Sequence, residues 1–284
     1  MSEYQYYEFV AIDRPLTDDE RAEVHSISPD ARVTSTTFAD DDTSGEFGGD
    51  PALMMERYYD AHVYVADWGA AQVMLRIPGK LLGIDAVEPY LLDERVEAWV
   101  AGEHLILDFR SEDEDADPIE APDRLLPAMA GLRAELASGD LRPLYLAWLA
   151  AIGAWERDED AFDEEMEDEQ EPPVPPGMAS LTPAQRALAD FLRLDADLLA
   201  TAATASPEPP SGRDDPLTAW LEGLPEQDKN ALLLRAVRGD ADRVRMEVLH
   251  RFREGTPLRA DARQDVPRRT VAQLLDATAA RRSG

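Results

Sequence analysis

The stretch formed by residues 141–155 constrains the fold of this chain more than any other. Its apolar side chains recur at helical spacing and form one wide stripe, made of Leu141, Leu144, Tyr145, Trp148, Leu149 and Ile152. The sequence before it has the features of strands and short helices, and the sequence after it has those of helices alone. We therefore predict that this helix closes a first domain and leads into a second.

The sequence before this helix predicts an α+β domain with a mixed or antiparallel sheet. Thr17, with Glu20 three residues later, is a capping box that predicts the start of a short helix. The Asp- and Gly-rich residues 39–51 predict a loop. Aromatic and β-branched residues predict strands at 4–12 and 32–38. They also predict two hairpins, one of strands 61–66 and 72–77 and one of strands 94–100 and 104–109.

The sequence after this helix begins with a like-charge block beside a proline run, EPPVPPG, which is typical of a solvated linker. Val174, between two Pro pairs, can instead dock in an extended form on a surface. Thr182, Pro183 and Gln185 form a strong helix start, and a later helix that starts at Pro225 carries the apolar residues Leu232, Leu233 and Val237. The predicted organisation is an α+β domain (1–120), a helical hairpin closing it (121–155), an acidic and Pro-rich linker (156–178) and an all-α domain (179–284).

Charge and composition narrow the function classes. The 284 residues carry a formal net charge of −31, from 59 acidic and 28 basic residues. Such a field disfavours nucleic acid or an anionic membrane as a direct ligand and suits a partner with a basic surface. A GC-rich genome or a salt-adapted proteome is an alternative reason for the same charge. The residues from Arg235 onwards are net basic, and they can dock on the chain's own acidic segments or touch a polyanion.

Targeting and redox features point to the cytoplasm. The chain has no cysteine, which removes disulfides, thiolate catalysis and cysteine-based zinc sites. Neither a secretory signal nor an apolar run of membrane-spanning length is visible. We therefore expect a soluble cytoplasmic protein.

A search for catalytic motifs assigns no catalytic, cofactor-binding or metal-binding residue. Phosphate-loop, dinucleotide-binding and nucleophile-elbow patterns are all missing from the sequence. The four histidines have no metal-ligand spacing, although His62 and His104 fall in predicted strands and could meet across a sheet. Weak divalent binding by the Asp40–Asp42 run or the acidic block stays open.

Aromatic residues supply the candidate interaction surface. Those on strands alternate between two faces, so one set packs in the core and the other can form a patch for a partner. Core packing is the favoured interpretation, with the patch as its alternative. The candidate surface residues are Tyr6, Tyr58, Tyr59, Trp68, Trp148, Val174 and Trp220.

Several segments resemble a family of bacterial proteins, frequent in actinobacteria, that has no assigned activity. They are YYEFVAIDRPLT (6–17), MERYYDAHVYVADWG (55–69), VMLRIP (73–78), RPLYLAWL (142–149), EPPVPPG (171–177) and ADFLRLDADLL (189–199). The resemblance implies a bacterial cytoplasmic origin and one shared architecture, and it implies that EPPVPPG packs in a defined way. It implies no catalytic residue or cofactor.

The sequence leaves three hypotheses for function. The leading one is a non-enzymatic interaction or adaptor protein that binds another protein, because no catalytic motif accompanies the helical half. The second is an acidic regulator of a nucleic-acid-processing complex. The third is an enzyme with a carboxylate or metal site on the first domain, which requires His62, His104 and acidic side chains to converge.

Overall fold

A computed structural model of the chain describes residues 4–42, 47–113, 117–119, 121–155, 169–208, 216–255 and 268–283. Within them a seven-stranded sheet has the order β2-β3-β1-β4-β5-β7-β6, and every paired neighbour is antiparallel. The strands are β1 (Gln5–Val10), β2 (Arg32–Val33), β3 (Thr37–Asp42), β4 (Ala61–Ala66), β5 (Ala70–Pro78), β6 (Val96–Ala101) and β7 (His104–Glu112). The α+β fold class is confirmed.

Helices lie between the strands and follow them. The early ones are α1 (Asp18–Ile27), α2 (Pro51–Arg57), α3 (Ile84–Val87), α4 (Leu125–Met129), α5 (Leu132–Ala137) and α6 (Arg142–Trp155). The later ones are α7 (Pro183–Phe191), α8 (Ala196–Ala203), α9 (Pro216–Gly223), α10 (Glu226–Arg235), α11 (Ala241–Gly255) and α12 (Val271–Ser283). None of the helices in the described ranges is both long and apolar enough to cross a membrane.

Local sequence signals set several of these boundaries. The capping box of Thr17 and Glu20 starts α1, and that of Thr182 and Gln185 starts α7. The β4–β5 and β6–β7 hairpins form as expected. Gly102 turns the second hairpin with φ 61°, a conformation that favours glycine.

The β3 strand corrects the sequence prediction, which placed a loop from residue 39 onwards. The strand runs through Asp40 and Asp41, whose backbone pairs with β1. Asp40 accepts a hydrogen bond from Ser28 Oγ at 2.6 Å, and Asp41 pairs with Arg32 at 2.7 Å. Tertiary partners therefore override the turn preference of aspartate at this edge of the sheet.

The two faces of the sheet bury different cores. One face presents side chains such as Val63, Leu75 and Leu107 to the main core. The opposite face presents Phe9 and Met74 to a smaller, aromatic-rich core that includes residues of α1 and α2. Because each strand alternates its side chains, both faces of the central strands are apolar.

Helix α6 lies at the centre of the main core. All nine residues from Leu144 to Ile152 are buried, so the predicted stripe is in fact buried all round. Tyr145 and Trp148 stack with ring centroids 5.8 Å apart. The same core continues into α7, α8, α11 and α12, so the sheet and the helical half share it.

The proline-rich segment packs onto this core. Tyr145 donates a hydrogen bond to the buried Glu171, which also forms a bidentate ion pair with Arg269 at 2.8 Å. Burial, with the Glu171 charge next in effect, raises the pKa of Tyr145. Tyr90 donates to Pro173 O at 2.8 Å. Residues 169–178 are thus held in place, while 156–168, the rest of the predicted linker, lie outside the described residues.

Candidate interaction surface

The strongest candidate site is an exposed apolar cluster at the C-terminal end of α10. Leu233, Leu234 and Val237 are 64 %, 49 % and 78 % exposed, and we call them the α10 patch. Leu233 and Leu234 lie in the last turn of α10, and Val237 lies in the helical turn Ala236–Asp240 that follows it. Leu233 and Val237 are four residues apart and Leu234 and Val237 are three apart, so the three side chains lie on one side. Large apolar side chains grouped in this way on a surface mark a contact site more often than scattered ones do.

The surrounding helices explain why the patch is exposed. Helix α11 buries Val244, Met246, Leu249 and Phe252 against the body of the protein. Helix α10, in contrast, buries Leu232 alone among its residues. The sequence analysis gave Leu232, Leu233 and Val237 as the apolar residues of this helix, and of the three only Leu232 is buried. A helix that contacts the rest of the protein on one side only cannot bury three consecutive leucines, because successive side chains are about 100° apart around the helix axis.

A kink fixes the direction of α10. The turn from Ala236 to Asp240 contains Gly239 at φ 98°, a left-handed conformation that strains other residues. Arg235 bridges the kink by pairing with Asp240 at 2.9 Å and with Glu247 of α11 at 2.6 Å. These exposed pairs orient α10 more than they stabilise it.

Charge is distributed unevenly around the α10 patch. Residues 216–255 contain seven Lys or Arg and seven Asp or Glu, so they are formally neutral and the rest of the chain carries the whole −31. The patch is therefore an apolar surface on a locally neutral segment of a strongly acidic molecule. A protein with complementary charge would be attracted over long range and would meet no local charge barrier at the patch.

The residues proposed from sequence as an interaction surface do not come together. Tyr6, Tyr58, Tyr59 and Trp148 are buried, so their placement on a binding surface is corrected to core packing. Trp68, Val174 and Trp220 are partly exposed and lie on different elements. Trp220 is the nearest to the α10 patch in sequence, and its ring meets Phe252 edge-on at 5.9 Å.

The histidines do not form a catalytic pair. Met74 of β5 pairs with His62 of β4 on one side and with Asp108 of β7 on the other. His104 lies four residues before Asp108 on β7, so the two histidines are two strands and four residues apart. That offset corresponds to about 10 Å across the sheet and about 13 Å along it. His62 is fully buried, donates from Nδ1 to Glu8 O at 2.9 Å, and burial lowers its pKa to about 3. In the described ranges no group of three or more potential ligands could hold a metal ion.

A buried charge cluster at one end of the sheet is internally paired. Asp60 Oδ2 accepts from the backbone N–H groups of Ile12 and Asp13 at 2.6 and 2.8 Å. Its Oδ1 accepts from Arg76 at 2.9 Å, and Arg133 forms a bidentate pair with Asp13 at 2.8 and 2.6 Å. Burial alone would raise the pKa of Asp60, but the Arg133 and Arg76 charges outweigh it and lower the pKa. With its partners satisfied, this cluster stabilises the fold and leaves no group poised for chemistry.

Comparisons with known proteins add no relative to this picture. No protein-family model, curated protein or solved structure matches the chain.

Proposed function

We propose that this protein is a non-enzymatic interaction protein that binds a protein partner through the α10 patch. The observation that carries the proposal is the exposure of Leu233 and Leu234 on α10, which buries only Leu232, and of Val237 in the turn that follows. An exposed apolar helix end of this kind can bind by inserting its leucines into an apolar groove of another protein.

The charge of the molecule indicates the chemistry of the partner. We propose a partner with an apolar groove and a basic surface around it, because the chain outside residues 216–255 carries a net charge of −31. Basic side chains on the partner would accelerate its encounter with the acidic body, while the groove would hold α10. The proposed setting is the bacterial cytoplasm.

Affinity capture with a matched pair of variants tests the proposal. The tagged chain is used to capture proteins from cells that produce it, at low and at high salt. Leu233→Ser combined with Val237→Ser removes the apolar side chains without changing charge, and Leu53→Ser on α2 is the control, since Leu53 is 52 % exposed elsewhere.

We expect a stoichiometric protein that the wild type and the Leu53→Ser control capture and the double variant loses. Raising the salt should weaken its capture, because salt screens the attraction between the acidic body and a basic partner. Equal capture by the double variant, or no protein bound by any form, would contradict the proposal.

A further inference from the structure

The C-terminal helix α12 is held by a surface that is separate from the α10 patch. Its residues at positions i, i+3, i+4 and i+7 are Val271, Leu274, Leu275 and Thr278. Val271, Leu274 and Thr278 are buried, and Leu275 is partly buried against the main core. Helices that bind into a groove of another protein place their anchoring side chains at this spacing.

The surface that holds α12 consists of residues 169–171 and α8, and we call it the α12 seat. A short antiparallel bridge joins residues 169–171 to the start of α12. In it Glu171 N donates to Arg269 O and Val271 N donates to Glu169 O, both at 2.9 Å. The bridge therefore fixes the position of the first residue of α12 on the seat.

Beyond the bridge, α12 runs along α8 in the opposite direction. Its start lies at the end of α8, where Arg269 Nη1 donates to Thr201 O at 3.4 Å. Its end lies at the start of α8, where Arg281 pairs with Asp197 at 3.3 Å. A cation in the last turn of one helix thus meets an anion in the first turn of the other, which is favourable for both helix dipoles.

The α12 seat and the residues that occupy it have opposite charge. Residues 268–283 contain four Arg and one Asp, which gives them a net charge of +3. Their arginines pair with Glu171, Asp195 and Asp197 of the seat. The sequence left open whether the basic end of the chain docks on the chain's own acidic segments, and residues 268–283 do so.

The two ends of α12 are held with different strength. At its start the carboxylate of Glu171 is 2 % exposed, whereas at its end Arg281 and Asp197 are 51 % and 47 % exposed. Exposed ion pairs contribute little to stability and are screened by salt. Of the thirteen residues of α12 only three are buried, whereas α6 buries nine in succession. Helix α12 is therefore the more weakly held of the two and opens from its C-terminal end.

We infer that the α12 seat is a second binding site, which accepts a basic amphipathic helix of a partner protein, and that α12 blocks this site until the partner displaces it. The helix that fits has apolar side chains at i, i+3, i+4 and i+7 and a basic residue near each end, because α12 fills the seat with that pattern. The partner binds only chains in which α12 has left the seat, so its apparent affinity is reduced by that fraction. The site shares no residue with the α10 patch, so either site can fail its test alone.

Amide hydrogen exchange of the full chain measures whether α12 opens by itself. We expect α12 to exchange faster than α6, and faster still as salt rises, because salt screens its ion pairs with α8. Arg281→Glu combined with Arg282→Glu should raise the exchange rate of α12 at least about fivefold and leave that of α6 unchanged. Arg238→Glu combined with Arg245→Glu makes the same charge change at exposed positions elsewhere, and this matched control should leave α12 unchanged.

A fluorescent peptide with the sequence of residues 268–283 tests the site directly, since this sequence fits the seat. We expect it to bind the chain carrying Arg281→Glu and Arg282→Glu at least about fivefold more tightly than the wild type, because more seats are open. The same peptide with Leu274→Asp should not bind. A chain with Asp197→Arg should prefer a peptide with Arg281→Glu over the unchanged peptide, which would locate the peptide on α8.

Exchange of α12 only together with α6 would overturn the inference, because the seat would then never open in the folded protein. So would peptide binding that Arg281→Glu and Arg282→Glu in the chain do not strengthen. Leu233→Ser combined with Val237→Ser should leave peptide binding unchanged. Loss of binding in that variant would overturn the inference too, because the peptide would then be on the α10 patch.

Discussion

Helices α6 and α10 each contain three leucines, yet one is the centre of the molecule and the other lies at its periphery. Nine consecutive residues of α6 are buried, from Leu144 to Ile152. Helix α10 buries only Leu232 and exposes Leu233 and Leu234 beside it. The number of elements around a helix, and not its hydrophobicity alone, decides whether a leucine stabilises the fold or remains available for binding.

The contrast extends to charged residues. In the interior, Arg133 is 2 % exposed and pairs with Asp13 at 2.6 Å, and it lies 3.6 Å from Asp60. At the periphery, Arg235 is 40 % exposed and pairs with Asp240 and Glu247. An ion pair therefore contributes differently to stability in the two regions, because solvent screens the pairs of Arg235 and does not screen the pair of Arg133.

The largest expected effect comes from breaking the interior ion pairs. Arg133→Ala leaves Asp60 without one of its two cations in a buried site and should destabilise the protein by about 4 kcal/mol. Arg235→Ala should cost less than about 1 kcal/mol, since its partners are hydrated. Urea unfolding of both variants measures the difference, and equal losses would show that α10 is part of the stable interior.

Next in size is the loss of a leucine from each helix. Leu149→Ala in α6 should cost about 3 kcal/mol, because it leaves a cavity in a fully buried position. Leu233→Ala in α10 should change the free energy of unfolding by no more than about 0.5 kcal/mol. Thermal and urea unfolding test this, and a large loss at Leu233 would mean that this side chain packs internally.

Acid should destabilise the interior through His62. Burial lowers the pKa of this side chain from 6.5 to about 3. Between those values the unfolded chain binds a proton that the folded chain does not, so stability falls as the pH falls below 6.5. The loss at pH 5 should be about 2 kcal/mol.

The measurement is urea unfolding at pH 7 and pH 5 for the wild type and for His62→Leu, which does not titrate. Between pH 7 and pH 5 the free energy of unfolding should fall by about 2 kcal/mol less in His62→Leu than in the wild type. Identical pH dependence in both proteins would show that His62 does not contribute.

The smallest effect concerns how the helices start. Thr182 caps α7 by accepting from Gln185 N at 3.1 Å, whereas the N-cap residue of α10, Pro225, provides no side-chain hydrogen bond. Thr182→Ala should therefore cost about 1 kcal/mol. Gln227→Ala, at an exposed position of α10, is the control and should be near neutral in urea unfolding.

Local signals were sufficient for much of the fold. The capping boxes at Thr17 and Thr182 satisfy backbone groups within three residues, so sequence alone predicts them. The hairpins around Asp67 and Gly102 follow for the same reason, since their turns join strands that are adjacent in the chain.

Features that depend on distant partners were not predictable. The strand through Asp40 and Asp41 requires Ser28 and Arg32, and the packing of Glu171 requires Arg269. The α10 patch was missed because the helical pattern shows that Leu232 and Leu233 are apolar but not which of them meets a neighbour. Three leucines in succession were the one available signal.

The shared core has a consequence for synthesis on the ribosome. The sheet is complete at Glu112, but the helices that cover its main apolar face, α6 and α7 among them, come later, and α12 joins the same core near the end of the chain. At about 5–20 residues per second, the nascent sheet therefore waits on the order of ten seconds with that face uncovered. Chaperones that hold exposed apolar surfaces have that interval in which to act, and slowing translation after the sheet would lengthen it.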